Sequence, residues 1–461
     1  LHTQHFARTL AAIVHSGFSM TVKILLTGIY LAALLTPMMA TAQSYDHDEL
    51  VLFQNIARQP SDWARFIYLS HAVPHLSISE QILGEQLLSS SESELGLYDQ
   101  AILGFPLRSE AIPNLPLPTT ADWQAADAAD AITALSSRRR IVLINEAHHD
   151  ANTRVLTLAL LPRLRALGFN YFAAEALSDK DHELMRRGYP VQQSGTEYLH
   201  EPLYGDMVRE AIRLGFIIVP YDSSASGKAR EAEQENNLYQ RVFAKDSGAR
   251  LFVHCDYAHI DKAEGRLGDI KPMAMGLKKL TGFDPLSIDQ TQFLEVLADR
   301  TDAYHQLIAS FHPKSPIILV NRTSGSPWSA APTLYDVNVI LPLSVSLKSF
   351  GVASEDKHEG DSSRLSHDLM NSRDMHRPNW LTLSGDRSAM PISADLCRKH
   401  FPCIVEARYV DESDDAIAAD RYVFFEPLTD SRLYLRPGRY RLRTMDSDSE
   451  VLSEQTIQAS K

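Results

Sequence analysis

The sequence predicts an α/β protein built on a mostly parallel sheet with flanking helices, followed by a small C-terminal domain of β-sandwich character. Three observations predict it. Between residue 139 and about residue 345, short aliphatic runs alternate with amphipathic helical stretches, which is the pattern of βαβ units. Successive aliphatic runs end in ionisable residues, as expected where strands open onto the carboxyl edge of a parallel sheet. Beyond residue 376 the pattern changes to short alternating segments separated by Pro-Gly and Asp-Ser turns, which suits an antiparallel sandwich.

Composition narrows the classes of partner. A chain of 461 residues is long enough for two or three domains of ~150 residues each. Its 44% hydrophobic and 22% charged residues describe a folded, soluble protein. A net charge of −13, with no basic stripe interleaved with aromatics, excludes nucleic acid and an anionic membrane surface as partners. From Met20 the chain shows one lysine, an apolar run over 24–35, Pro37 and the small-residue site Ala40-Thr41-Ala42. This predicts a secretory signal peptide over 20–42, with cleavage before Gln43. Residues 1–19 read as translated sequence upstream of the start. The mature chain is then expected to be exported, periplasmic or secreted from a bacterium, with no stable membrane anchor and its oligomeric state open. Of the three cysteines, Cys397 and Cys403 are close enough to form a disulfide in such a compartment, which leaves Cys255 as a free buried thiol.

Taken in order, residues 43–120 are predicted to form a helical cap, with helical patches at 50–67 and 78–88 and a Pro-rich connector at 112–120. The α/β domain spans 121–350 and begins with an Ala-rich helix over 122–135. Four aliphatic residues, 141–144, predict a strand buried on both faces. Asn145, Glu146, Ala147, His148, His149 and Asp150 form the turn after it, and a helix over 154–167 ends at Gly168. A second strand over 169–174 ends in Glu175, and a third over 216–219 runs out at Asp222. After a helix over 228–244, a fourth strand at 250–253 opens into His254, Cys255, Asp256, Tyr257, Ala258 and His259. Later strands fall at 286–288 and 316–320. A charged linker over 351–375 leads to the β domain at 376–461, with strands at 380–383, 404–408, 422–425, 432–435 and 440–443.

Several familiar motifs are absent. Gly227-Lys228 ends like a phosphate loop, but the earlier glycine position holds Asp222 and the hydroxyl position holds Ala229. No G-x-S-x-G elbow or H-E-x-x-H helix is present. His182 sits on a polar helix start, and the isolated His305 and His312 are assigned no role. What remains is spread along one sheet edge. Glu146, His148 and Glu175 are suited to activate water as general bases or to hold a divalent metal, and His259 to complete that shell or act as an acid. Arg230 is suited to stabilise an oxyanion, with Asn237 two helical turns farther on the same face. Asp222 ends the third strand. Because adjacent side chains diverge, only one of His148 and His149 is expected to face the site, and His148 is assigned to it.

At these residues the chain resembles the superfamily that joins erythromycin esterases, ChaN-type haem-binding lipoproteins and Tiki metalloproteases. Asn145-Glu146-Ala147-His148 stands where that group has G-E-x-H. Glu175 matches its glutamate after the second strand, and Arg230-Glu231 through Asn237 its R-[DE]-x-x-x-A-x-N helix. Asp256-Tyr257-Ala258-His259 matches its G-x-x-H turn. The resemblance covers residues 139–290. Both motif glycines are replaced, by Asn145 and Asp256, and the helix alanine by Glu235; Asn and Asp tolerate left-handed backbone better than other side chains do. The resemblance implies a hydrolase of an ester, lactone or amide bond in a small-molecule or peptide substrate. Its catalytic residues would be Glu146, His148, Glu175, Arg230 and His259. A divalent metal on Glu146, His148, Glu175 and His259 is one implied cofactor. The alternative it implies is haem or metal binding without catalysis, with Tyr257, His254 or His259 as iron ligands.

Overall fold

The computed structural model describes residues 47–107, 111–296, 302–344, 377–427 and 429–460. The expected signal peptide, the residues before it and the linker over 351–375 lie outside the described residues. No helix among the described residues is long and apolar enough to cross a membrane.

The centre is an eight-stranded sheet. Its strands are β1 (Trp123–Asp127), β2 (Ile141–Glu146), β3 (Tyr171–Ala174), β4 (Ile217–Val219), β5 (Leu251–Asp256), β6 (Leu286–Asp289), β7 (Ile317–Asn321) and β8 (Val337–Ile340), in the order β1-β7-β8-β6-β2-β5-β3-β4. From β8 to β4 every pairing is parallel, and only β7 runs against its neighbours. Helices between the strands cover both faces, so β2 and β5 are buried along their whole length. Each strand splits its side chains between two cores, because alternate residues point to opposite faces. Val142, Ile144 and Phe252 pack under the helices Asn152–Ala166 and Pro202–Arg213, while Ile141, Leu143, Leu251 and Val253 pack on the opposite side. Each of these side chains contributes about 1.5–3 kcal/mol relative to exposure. The same alternation carries Glu146, His254 and Asp256 to the Val142 face. The β2–β5 register then sets Glu146 directly beside Asp256.

Strand ends differ from expectation where tertiary pairing outweighs local pattern. The Ala-rich segment at 122–135 is not one helix: Trp123–Asp127 pairs antiparallel with β7, and the helix Ala128–Ser136 starts only where Asp127 caps it by accepting from Asp130 N. β5 extends through Asp256, so His254 and Cys255 belong to the strand and not to the loop. The segment at 380–383 forms a 3₁₀ turn, Asn379–Gly385, in place of a strand. The predicted helix over 228–244 is Gly227–Leu238 followed by a π turn, Tyr239–Phe243.

The C-terminal region is antiparallel. β10 (Cys403–Tyr409), β11 (Asp420–Phe424), β13 (Gly438–Met445) and β14 (Val451–Ala459) form one sheet, and β9 (Ser388–Ser393) pairs with β12 (Asp430–Leu435). The two sheets share one apolar core containing Ile392, Val405, Tyr422, Leu433 and Tyr440. Helices of the N-terminal segment, Asp62–Ala72 and Ile78–Glu94, press against this region: Trp63 and Phe66 pack with Ile404 and Val423, and Arg421 donates to Asp62 Oδ2 at 3.0 Å.

Cys397 and Cys403 are joined, with Cα atoms 5.8 Å apart, and Cys255 is free and buried. Because the bridge closes a short loop, replacing both cysteines by serine is expected to cost ~2–3 kcal/mol. A thermal melt of the double variant against wild type measures it, and an unchanged midpoint would assign the bridge no stabilising role.

Candidate active site

Four strand ends converge on one buried group of acids, imidazoles and guanidiniums. β2 delivers Glu146, and the turn after it brings His148 back so that its Nδ1 lies 2.9 Å from Glu146 Oε1. The other imidazole nitrogen, Nε2, is 3.2 Å from Asp256 Oδ2 at the end of β5. The short 3₁₀ turn Tyr257–Ile260 places His259 Nε2 2.7 Å from the other oxygen of the same carboxylate, Asp256 Oδ1. Asp256 therefore bridges both histidines. Glu175, just beyond β3, accepts from Asp256 N at 2.8 Å and lies 3.5 Å from His259 Nε2. From the helix Gly227–Leu238, Arg230 donates to Glu175 Oε1, and its Nη2 is 3.0 Å from Asp222 Oδ1. Every one of Glu146, His148, Glu175, Arg230, Asp256 and His259 is at most 7% exposed. The ring of Tyr198 stacks on His148 at 3.6 Å, and Tyr257 stands edge-on to it at 6.1 Å.

The charges fix the protonation states. Six carboxylates (Glu146, Glu175, Glu201, Asp222, Glu231 and Asp256) meet two guanidiniums and three imidazoles, those of His148, His254 and His259. Burial pushes the His148 imidazole down, but its hydrogen bonds to Asp256 and Glu146 raise it to about 9. Burial works against His259 in the same way, and Glu231, Asp256 and Glu175 overcome it and hold the ring well above its ordinary value. Both rings are held toward the imidazolium form, which suits His148 to give a proton rather than to take one. Burial pushes Glu175 up, and the adjacent Asp256 charge adds to it; despite His259 and Arg230 its carboxyl reaches about 7. Burial also pushes Asp256 up, yet the two imidazolium partners keep it well below the carboxylate range. Arg230 Nη1 lies 3.1 Å from His259 Nε2. With the ring protonated neither nitrogen donates to the other, and the flanking Glu175 and Asp256 compensate the two cations. His259 Nδ1 is 2.7 Å from Glu231 Oε1 but off the angle of a good hydrogen bond, so this contact is an ion pair first.

A second ring of contacts holds Glu146. Arg154 donates to it through Nε at 2.6 Å and Nη2 at 3.3 Å, and to Glu201 Oε2 through Nη1 at 3.1 Å. His254 Nε2 lies 2.9 Å from Glu146 Oε2, and its Nδ1 lies 3.0 Å from Thr157 Oγ1. Burial raises the Glu146 carboxyl, but Arg154, then His254 and His148, hold it well below its usual range.

Of the residues singled out in the sequence, the structure brings together His148, Glu175, Arg230 and His259, with Asp222 behind Arg230 and Glu146 behind His148. Asn237 stands apart: it donates to Tyr221 O at 3.0 Å and ties its helix to the end of β4. His149 turns away from His148 and stacks on Phe105 at 3.5 Å. In the sequence, Asp256 and Glu231 stand inside the motifs but carry no assigned site role, and Arg154, Glu201 and Tyr198 carry no signal at all. Asp256 carries a signal beyond its place at a motif glycine: it is one of the ionisable residues at the end of the fourth strand, three residues before His259. Neither replacement calls for left-handed backbone; the positive φ, 23°, falls at Tyr257. Asn145 instead uses its amide to join β2 to Tyr257 O, Asp289 and Thr291.

The donors do not suit a divalent metal. Glu146 is bound to Arg154 and His254, so the proposed set of Glu146, His148, Glu175 and His259 does not surround one point. Glu175, Asp256 and His259 do bring ligand atoms within 4.8 Å of one another. There the Arg230 guanidinium already supplies the positive charge on Glu175, anchored by Asp222. Haem fits no better: His254 is fully buried with both ring nitrogens engaged, and burial, with Asp256 adding to it, raises the Tyr257 phenol far from the phenolate that iron requires. A depression of about 730 Å³ lined by Arg138, Arg139 and Arg140 lies at the amino end of β2, away from this chemistry. Its Arg139 and Arg140 side chains are bound to Asp284 and to the Ala249 carbonyl.

No protein-family model matches the chain, and no curated protein does. Among solved structures it is similar to the type III effector HopBA1, at 14% identity over 39% of this chain and 87% of that one, with a TM-score of 0.26. A structure described as bacterial protein toxins aligns at 16% identity over 57% of this chain and 56% of its own, TM-score 0.27. RRSP, a MARTX toxin effector domain from Vibrio vulnificus, aligns at 16% identity over 57% of this chain and 55% of its own, TM-score 0.25. The chain thus spans little more than half the length of these two toxins.

Proposed function

We propose that the protein is a hydrolase of an ester, lactone or amide bond, working through Glu175, His148, His259 and Arg230 without a metal, on the α/β scaffold of the erythromycin esterase and ChaN-like kind. One observation carries this reading: a single carboxylate, Asp256, holds two imidazolium rings beside a glutamate whose pKa lies near neutrality. Neighbouring groups whose pKa values are driven apart are the arrangement that acid–base catalysis needs. Glu175 takes a proton from water as that water attacks the carbonyl carbon. Arg230 and the His259 imidazolium stabilise the negative charge that develops on the carbonyl oxygen. His148 gives its proton to the leaving oxygen or nitrogen, and Asp256 keeps both rings charged and in place. Tyr198 and Tyr257 pack against the His148 ring, so a substrate reaches His148 when one of these rings swings aside. The test is turnover of p-nitrophenyl acetate, dihydrocoumarin and p-nitroacetanilide by purified protein in excess EDTA, alongside the His259→Ala variant. Turnover of one or more of them, lost in the variant, supports the reading. If none is turned over, or the variant matches wild type, the reading falls.

A further inference from the structure

The turn that carries His259 has little regular structure to hold it. It leaves β5 at Asp256, takes Tyr257 through a positive φ of 23°, and ends at Ile260. From there the chain runs irregularly as far as the helix Met273–Thr281. A side chain in such a backbone region persists only where its surroundings over-determine it. Here those surroundings come from β6, a strand that gives no side chain to the acid–imidazole cluster itself.

Asp289, the last residue of β6, is fully buried and lies between two donors. Asn145 Nδ2 is 2.9 Å from Asp289 Oδ2 and 2.7 Å from Tyr257 O, which joins the carboxylate to the start of the turn. Arg266 Nη1 donates to the same Oδ2 at 2.6 Å, and its Nε donates to Asp261 Oδ2 at 2.9 Å, just past the end of the turn. Both grips thus converge on one oxygen. The other, Oδ1, accepts from Gln292 N at 2.8 Å and Asn338 Nδ2 at 3.2 Å, which fixes the carboxylate to the segment after β6 and to β8. Two residues earlier on the same face of β6, Ser287 Oγ donates to Ile260 O at 2.7 Å. Stability alone is a weak account of this arrangement. Two fully buried carboxylates, Asp261 and Asp289, share one guanidinium, and buried ion pairs seldom outdo apolar packing.

We propose that Asp289 is a positioning residue for His259, acting through Asn145 at one end of the 257–260 turn and Arg266 at the other. Its link to catalysis rests on the hydrolase reading. With the turn held, His259 Nε2 stays 2.7 Å from Asp256 Oδ1 and beside Arg230, where the two cations face the developing oxyanion.

Asp289→Asn keeps the shape of the side chain, but in either orientation of the amide a donor then faces donors. In the full chain with isotope-labelled histidine, the ring cross-peaks of His259, identified by their loss in His259→Ala, should move. With p-nitrophenyl acetate, kcat should fall by ~10–10²-fold, the scale of a misplacement of about 1 Å. KM should stay within ~2-fold of wild type, because the lost interaction is one made in the transition state. Asn145→Ala, which releases Tyr257 O, carries the same expectations if Asp289→Asn does not fold. The Cys397→Ser/Cys403→Ser variant controls for destabilisation alone and should leave both readouts at wild type. Unmoved His259 cross-peaks in a folded variant, moved cross-peaks with an unchanged kcat, a rise in KM in place of the fall in kcat, or the same changes in the cysteine variant would overturn the proposal. The cross-peaks are read without turnover, so the two readings fail separately. If nothing is hydrolysed and the cross-peaks move, Asp289 still positions the ring and the hydrolase reading falls. If esters are hydrolysed and the cross-peaks stay, the hydrolase reading stands and this one falls.

Discussion

Glu175→Gln is expected to lower kcat/KM for ester hydrolysis by ~10²–10⁴-fold, the usual contribution of a general base. Glutamine keeps the shape of the side chain, and its carbonyl oxygen can still accept from Asp256 N, so the end of β3 should hold its position. What it loses is the proton acceptor, and with it the charge that Arg230 Nη2 meets. The variant should melt as a folded protein and show an unchanged far-ultraviolet circular dichroism spectrum. A folded variant with the wild-type rate would mean that water is activated elsewhere.

The largest stability change is expected at Arg154. Its side chain is 1% exposed, lies among Glu146, Glu201 and the His148 carbonyl, and is among the largest fully buried groups in the molecule. Arg154→Met would take from two buried carboxylates, Glu146 and Glu201, the guanidinium they share, at ~3–5 kcal/mol. The dependence on pH has a fixed sign. The Glu146 carboxyl is held well below its unfolded value. The stability it contributes is therefore present above about pH 4.3 and lost as pH falls through the folded pKa. The gap between wild type and Arg154→Met in urea midpoint should accordingly narrow in acid. Adding Glu146→Gln to Arg154→Met should cost less than the two single changes added together, because the residues are in contact. A gap that widens in acid, or strict additivity, would contradict the assignment of Arg154 as the counter-charge of Glu146.

The parallel sheet was legible because buried strands are near-continuous aliphatic runs, as in 141–144, and because ionisable residues follow four of them. β1 was not legible. Its alanines favour helix, and only the antiparallel pairing with β7 makes the segment a strand. Convergence of Glu175, Arg230 and His259 could be read from strand order, since ends along one edge meet whatever their spacing in the chain. The protonation states could not. They depend on how many charged groups meet at the cluster, and Glu231 on its helix and Glu201 at the cap of another reach it only through packing. The part played by Asp256 was hidden for a related reason. Its carboxylate matters through two hydrogen bonds, one to the turn after β2 and one to its own 3₁₀ turn, and no local pattern encodes that pair.

The most direct test of the central claim, that Glu175 and His148 are the base and the acid of one centre, is the pH profile of kcat/KM. It is measured with p-nitrophenyl acetate after subtraction of the uncatalysed rate. This ratio reports ionisations of the free enzyme. The profile should be bell-shaped. Its acid limb, near pH 7, follows loss of the proton from Glu175, and its alkaline limb, near pH 9, follows loss of the proton from His148. Glu175→Gln should abolish the acid limb while leaving the alkaline one. A rate that keeps rising through pH 9, or is flat across both limbs, would contradict the assignment of acid and base in this cluster.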